Sequence, residues 1–114
     1  MKNKPTIVEK PWGREIIYAD IPGKYLGKIL EINKGCRLSR QYHSKKHETL
    51  YVLEGRCLME LDGKEEIYEE GESAVIPTGL VHRFSAPEGF VRLLEVSTYY
   101  PDDTIRLSDD YSRK

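Results

Sequence analysis

Between residues 10 and 98 the apolar residues fall in short runs. Gly, Pro or Asp interrupts them at intervals of about 8–12 residues, the spacing of an all-β sandwich or barrel. No stretch carries the three-to-four residue period of a long amphipathic helix. Nine segments qualify as strands: Glu15–Tyr18, Gly27–Asn33, Leu38–His43, Glu48–Leu53, Arg56–Leu61, Lys64–Tyr68, Ser73–Ile76, Val81–Ser85 and Phe90–Ser97. Asp62-Gly63 is the strongest turn signal, because both residues tolerate the positive φ of a tight hairpin. Pro77 and Gly79 suit the second and fourth positions of a type I turn.

The two ends differ from the middle. Residues 1–9 read as a flexible arm or as an edge strand exchanged with a second subunit. Thr6, Ile7 and Val8 favour a strand but have few local partners, which predicts a homodimer formed through this segment. The tail from Tyr99 to Lys114 is rich in Asp and Arg, with Ile105 and Leu107 as its aliphatic anchors, and reads as a short helix or a strap across the barrel. The division is thus an arm (1–9), a barrel (10–98) and a tail (99–114) in one domain, as 114 residues suggest.

Charge changes this picture little. Charged residues make up 32% of the chain but sum to −1, so long-range attraction to nucleic acid or an anionic membrane is not expected. No apolar run reaches the roughly 20 residues that span a bilayer, and Met1-Lys2-Asn3-Lys4-Pro5 lacks the apolar stretch of a secretory signal. A cytoplasmic location is the expectation, with Cys36 and Cys57 as free thiols.

The chemistry lies in spacing. Gly35, five residues, Gln41-x-His43, four residues, Glu48, six residues and Gly55 form one block; Gly71, five residues, Pro77-x-Gly79, two residues and His82 form a second. Side chains alternate across a strand, so Gln41 and His43 share a face. If Glu48 and His82 reach the same interior, two imidazole nitrogens and two side-chain oxygens surround one divalent cation per chain. Such N/O donors admit Zn, Mn, Fe, Co or Ni alike.

These two blocks resemble the paired motifs of the cupin superfamily, small jelly-roll β-barrels that hold a metal inside. Gln41-x-His43 stands where most cupins have His-x-His, and Ala86 where the second motif ends in Asn. Gln-x-His resembles the phosphomannose isomerases, in which the glutamine oxygen is a metal ligand. Lys10-Pro11-Trp12-Gly13, Leu38-Ser39-x-Gln41-x-His43, Ile76-Pro77-x-Gly79-x-x-His82-Arg83, Leu94-Glu95-Val96 and the tail motifs Asp102-Asp103-x-Ile105-Arg106 and Asp109-Asp110-Tyr111-Ser112-Arg113 are similar to the type II phosphomannose isomerase domain. In that family the domain commonly follows a mannose-1-phosphate guanylyltransferase, so a separate nucleotidyltransferase is an implied partner. The stretch Ser44–Leu50 departs from the family: Lys46 replaces Arg, and Thr49-Leu50 replaces His-Trp. A changed rim loop implies a changed sugar phosphate.

The resemblance implies a metal-dependent aldose–ketose isomerase. Its C1–C2 proton transfer needs a base, for which Lys28, Glu95 and His47 are candidates. Lys28 lies in phase with Leu30 and Ile32 and so faces inward, which calls for an anionic ligand or a carboxylate partner. Phe90, Leu94 and Val96 compete with Val91 and Leu93 for the inward phase, leaving the side of Glu95 open. Arg83, Lys45 and Lys46 are candidates for the substrate phosphate, although alternation sends Arg83 away from His82 unless the strand bends, and Lys45-Lys46-His47 also fits a solvated turn. Trp12 reads as a packing anchor. A non-catalytic sugar or nucleotide-sugar binding module and a sugar epimerase are the alternatives; oxygen chemistry is disfavoured because Fe(II) dioxygenases of this fold usually have histidine at the place of Gln41.

Overall fold

The computed structural model describes residues 1–113; Lys114, the end of the expected tail, lies outside them. Among the described residues there are eleven strands and no helix. They are β1 (Thr6–Lys10), β2 (Gly13–Ile21), β3 (Tyr25–Ile32), β4 (Arg40–Tyr42), β5 (Glu48–Glu54), β6 (Cys57–Leu61), β7 (Lys64–Tyr68), β8 (Ser73–Ile76), β9 (His82–Ser85), β10 (Val91–Ser97) and β11 (Ile105–Ser108). Two antiparallel sheets face each other, a six-stranded one in the order β1-β2-β3-β10-β5-β8 and a five-stranded one in the order β11-β4-β9-β6-β7. This is the expected all-β jelly-roll barrel. Among the described residues no helix is long and apolar enough to cross a membrane.

Turn chemistry explains much of the path. Asp62 and Gly63 have φ of 53° and 79°, the pair of positive angles that a two-residue hairpin requires, and they join β6 to β7 in register. At Pro77–Leu80 the expected turn shifts by one place. The Leu80 amide donates to the Pro77 carbonyl, which puts Gly79 third, at φ 87°. That position demands positive φ in a type II turn.

The ends also depart from expectation. Residues Thr6–Lys10 are paired along their whole length with Gly13–Ile17 of the same chain. The segment therefore has local partners, supplied by a hairpin through Pro11 and Trp12, and β1 forms an edge of the larger sheet. The described part of the tail is not a helix, since β11 adds to β4 at the edge of the smaller sheet. β4 is shorter than expected because the chain bends before it, with Leu38 donating to the Phe84 carbonyl outside a regular ladder.

The barrel interior has two ends of opposite character. Inward rows run Ile32-Leu30-Lys28 on β3, Val52-Leu50-Glu48 on β5, Val91-Leu93-Glu95 on β10 and Phe84-His82 on β9. Each begins apolar and turns polar at nearly the same level. Register aligns the change, because Leu93 pairs with Leu30 and Val52, while Glu95 pairs with Lys28 and Leu50. The apolar end is closed by Trp12, 2% exposed, which packs with Leu30, Ile32, Phe84 and Leu93. Cys57 is buried there and Cys36 partly so, both as free thiols, and burial pushes the Cys57 thiol up to about 12.

Gly55 is the glycine on which this packing depends most. Its φ is 83°, and a Cβ built on it would lie 2.3 Å from the Phe90 carbonyl oxygen. Gly63 has similar φ but nothing within 4 Å of a Cβ. Alanine at either site meets the left-handed penalty of roughly 1–2 kcal/mol, and only at 55 does a backbone clash add to it. In urea titration Gly55→Ala should therefore lose clearly more stability than Gly63→Ala; equal losses would show that the Gly55–Phe90 approach is not rigid.

Candidate metal centre

Gln41 and His43 flank Tyr42 at the end of β4, and both are buried, as alternation requires. Gln41 pairs directly with His82 across β4 and β9. Glu48 opens β5 and points to the same interior, 2% exposed. The ligand atoms of His43, Glu48 and His82 lie within 4.8 Å of one another. His43 Nε2 is 3.1 Å from Glu48 Oε2, and His82 Nε2 is 3.9 Å from Glu48 Oε1.

Second contacts aim these side chains. His43 Nδ1 lies 2.6 Å from the Asp103 carbonyl and His82 Nδ1 lies 2.9 Å from the Leu80 carbonyl. A carbonyl only accepts, so each Nδ1 carries the proton and each Nε2 presents a lone pair inward. Gln41 lines the cavity, and its Nε2 donates to Ser39 Oγ at 3.1 Å, which leaves the amide oxygen as the side chain's acceptor. The ligand atoms of His43, Glu48 and His82 thus converge, and Gln41 lines the same cavity. Glu48 Oε2 is buried and receives no hydrogen bond of acceptable geometry, even with Lys46 Nζ 2.9 Å away. Lone pairs on Nε2 and Oε2 at 3.1 Å repel unless a cation lies between them, so the residues present fit a divalent metal.

The charges around this point are unusual for a protein interior. Lys46 is 6% exposed, and its ammonium lies between Glu48 Oε2 and Glu95 Oε2, at 2.9 and 3.2 Å. Burial alone would lower the lysine, but the carboxylates of Glu95 and Glu48 raise it. Burial alone would raise Glu48; the close approach of His43 and the Lys46 charge outweigh it and hold the carboxyl below its usual range. Glu95, by contrast, is raised, first by burial and then by the charge of Glu48. His82 is lowered, chiefly by burial, which keeps it neutral as a ligand must be.

These groups line a cavity of about 360 Å³ that also receives Lys28, Glu15, Lys10, Arg106 and Arg113. Lys28 does face inward, and its carboxylate partner is Glu15, 3.3 Å away. The inward phase of β10 is Val91, Leu93, Glu95 and Ser97, which places Glu95 inside. Three residues named from the sequence are not brought to the cavity. His47 and Lys45 are exposed on the loop before β5. Arg83 lies on the far side of β9, where Nη2 donates to the carbonyl and hydroxyl of Ser108 at 3.2 and 3.1 Å. Lys46 is on the same loop as Lys45, yet turns inward rather than lying at the rim.

Asp103 is the residue that sequence reasoning missed. Its carboxylate accepts from the Ser44 hydroxyl at 2.6 Å and from the backbone amides of Ser44, Lys45 and Lys46 at 3.2, 2.6 and 2.8 Å. Its carbonyl meanwhile holds His43. One residue of the tail thus fixes both the imidazole and the turn that carries Lys46 inward. The Asp102-Asp103 motif was visible, but nothing in a linear reading links it to a loop some sixty residues away.

A small antiparallel barrel with a buried His-Glu-His set able to hold a metal ion at its polar end defines the class of this protein. The chain belongs to the cupin family, whose Cupin domain model matches residues 28–97. It is 33% identical over 110 residues to the alginate biosynthesis protein AlgA of Pseudomonas aeruginosa, covering 93% of this chain and 23% of that one. It is 29% identical over 110 residues to a mannose-1-phosphate guanylyltransferase of Klebsiella pneumoniae, with the same coverage. The chain therefore spans about a quarter of the length of the curated relatives it matches, in their C-terminal region. Among solved structures, a cupin-2 domain protein of Rhodospirillum rubrum superposes with a TM-score of 0.80 at 13% identity, over 91% of this chain and 76% of that one.

Two outcomes test the centre. His43→Ala and His82→Ala should each abolish stoichiometric divalent metal in elemental analysis, whereas Gln41→Ala should only weaken binding, an amide oxygen being the poorest of the four donors; full metal content in a His43→Ala/His82→Ala protein would refute the assignment. Asp103 gives a pH signature. Burial would raise its carboxyl, but the Ser44 hydroxyl and the loop amides hold it well below the usual range. Its contribution is therefore complete above an unfolded pKa of about 4 and is lost as pH falls through the lower folded value. Asp103→Asn should reduce thermal stability at neutral pH and flatten its decline between pH 5 and 3, a range set by the roughly 4 of an unperturbed Asp.

Proposed function

We propose that this protein is a metal-dependent aldose–ketose isomerase acting on a sugar phosphate, as in mannose-6-phosphate isomerisation. The observation that carries the reading is the placement of a buried carboxylate–ammonium pair, Glu95–Lys46, beside the four metal donors in one cavity. The similarity to AlgA and to a guanylyltransferase of mannose 1-phosphate supports a phosphorylated sugar as substrate.

Isomerisation between C1 and C2 breaks one C–H bond, forms another on the neighbouring carbon and moves a hydroxyl proton between the two oxygens. A bound divalent ion supplies Lewis acidity to those oxygens and a fixed point for the sugar. Everything else falls to side chains. Glu95 takes the proton from one carbon and returns it to the other. The upward shift of its carboxyl brings it closer to the range in which a carboxylate both accepts and releases protons near neutrality. Lys46 orients Glu95 and stabilises its ionised form. Lys28, held by Glu15, lies across the β3–β10 ladder from Glu95 and donates to the sugar hydroxyls. The phosphate belongs with Lys10, Arg106 and Arg113 at the cavity wall, in place of the Lys45 and Arg83 expected from the sequence.

A binding module remains the second reading, favoured by one observation. Lys46 already neutralises Glu95, and a base locked in an ion pair is a poor proton acceptor. Deuterium exchange separates the two. Metal-loaded protein in D₂O should exchange the C2 proton of a hexose or pentose phosphate, and Glu95→Gln should slow exchange by about 10²–10⁴-fold without loss of metal. Lys45→Ala should leave exchange nearly unchanged. Absence of exchange with every sugar phosphate tried would favour the binding module.

A further inference from the structure

The outer face of the smaller sheet carries a cluster of arginines that the cavity does not use. Gln41 and His82 pair across β4 and β9 and point inward. Arg40 and Arg83, their neighbours along each strand, therefore lie side by side on the outer face. Register extends this row to Ser108 on β11, which pairs with Arg40, and to Glu60 on β6, which pairs with Arg83. Arg37 enters from the segment before β4, bridged to Ser85, two places along β9 from Arg83. Like charges opposite one another across strands repel, so the cluster needs anions.

The carboxylates present do not meet that need. Glu60 takes Arg40 in a two-pronged pair at 2.7 and 2.9 Å, and Asp110 takes Arg37 at 2.7 and 3.0 Å. Arg83, the most deeply placed of the three at 5% exposure, is left with neutral partners. Its Nη2 donates to the carbonyl and hydroxyl of Ser108, and its buried Nε–H has no hydrogen-bond partner among the described residues. Three guanidiniums thus face two carboxylates, one positive charge in excess. Burial, then the charges of Arg37 and Arg40, pull the Arg83 guanidinium below its ordinary range, whereas hydrogen bonds to Asp110 and Glu60 raise Arg37 and Arg40. An unneutralised buried guanidinium is costly, and an anion arriving from solvent removes the cost. The approach is open at Ser108, which is exposed. Its hydroxyl oxygen lies 3.1 Å from Arg83 Nη2 and 3.3 Å from Arg40 Nη1, bridging the two cations. With the oxygen accepting from both, the hydroxyl proton is directed away from them and can serve an anion. The Arg37–Asp110 pair is nearly half exposed on both sides, so it contributes little and Asp110 yields readily.

We propose that Arg83, Arg40, Arg37 and Ser108 form an anion site outside the barrel that takes a small tetrahedral oxyanion, phosphate or sulfate. Arginine forks match such groups in shape, and here they approach from three separate segments of the chain. The site stands back to back with the metal centre, because the strands that present Arg40 and Arg83 outward carry Gln41 and His82 inward. A bound oxyanion ties β11, β4 and β9 together behind the centre, where Arg40 and Arg83 otherwise repel. It is separate from Lys10, Arg106 and Arg113, which line the cavity.

An NMR titration of the full chain with inorganic phosphate, ionic strength held constant with sodium chloride, tests the site. The Nε–H resonances of Arg83 and Arg40 and the amide of Ser108 should shift together and saturate with one dissociation constant. The same shifts should persist in Lys10→Ala, a change confined to the cavity side. Arg83→Gln should weaken phosphate at least about tenfold, read at Arg40. Ser108→Asp keeps all three arginines and sets a carboxylate where the ion would bind. It should raise the melting temperature in phosphate-free buffer and remove the rise that phosphate gives the parent. An unmoved Arg83 Nε–H, shifts that sodium chloride alone reproduces, shifts confined to cavity residues, or a Ser108→Asp protein no more stable than the parent would each overturn the proposal.

Discussion

Glu48 carries its charge where water barely reaches, and the rest of the polar end is arranged around that fact. A carboxylate at 2% exposure is tolerated only with cations close by. Lys46 supplies one, but it is shared with Glu95, itself 3% exposed, so two buried carboxylates compete for one ammonium. With both imidazoles neutral the cluster is one positive charge short. Their tautomers, fixed by the Asp103 and Leu80 carbonyls, leave lone pairs that add to the deficit. A divalent cation more than offsets that deficit, turning one net negative charge into one net positive. The same deficit separates the two carboxyls, Glu48 being driven down by its neighbours and Glu95 up by burial and by Glu48. The two carboxyls thus sit in opposite electrostatic settings within one cavity.

That arrangement requires the loop between β4 and β5 to bring a lysine inward, against the ordinary preference of a long charged side chain for solvent. The ion pairs alone do not position it, because the turn must first be closed. Asp103 closes it from a distant part of the chain, through three backbone amides and a hydroxyl. β11 in turn holds Asp103 near the barrel by pairing with β4. The tail is accordingly part of the centre, and its polar composition reflects the groups it satisfies.

What the sequence made legible, and what it did not, follows from the range of each interaction. Gln41 and His43 on one face, the Asp62-Gly63 hairpin and the inward phase of Lys28 depend only on alternation and local φ, and all three are present. The phase of Glu95 was ambiguous because β10 is apolar on both sides. The outward side of β10 carries Leu94 and Val96, so composition did not distinguish core from surface. Lys46 and Lys45 are identical in type and adjacent, yet only one is buried, and the difference is made by Asp103 and Glu95, some fifty residues further along. Arg83 was misassigned in role but not in direction, since alternation already sent it away from His82.

The ambiguity of β10 and the polar interior share a cause. A strand that spends inward positions on Glu95 and Ser97 has fewer apolar contacts inside, and here its outward positions are apolar as well. The same holds on β5, where Glu48 faces in while Tyr51 and Leu53 face out. A barrel of this size that gives part of its interior to a charged cavity forgoes the burial that part would have supplied. In this fold the charged cavity inside the barrel and the apolar face outside it are therefore carried by the same few strands.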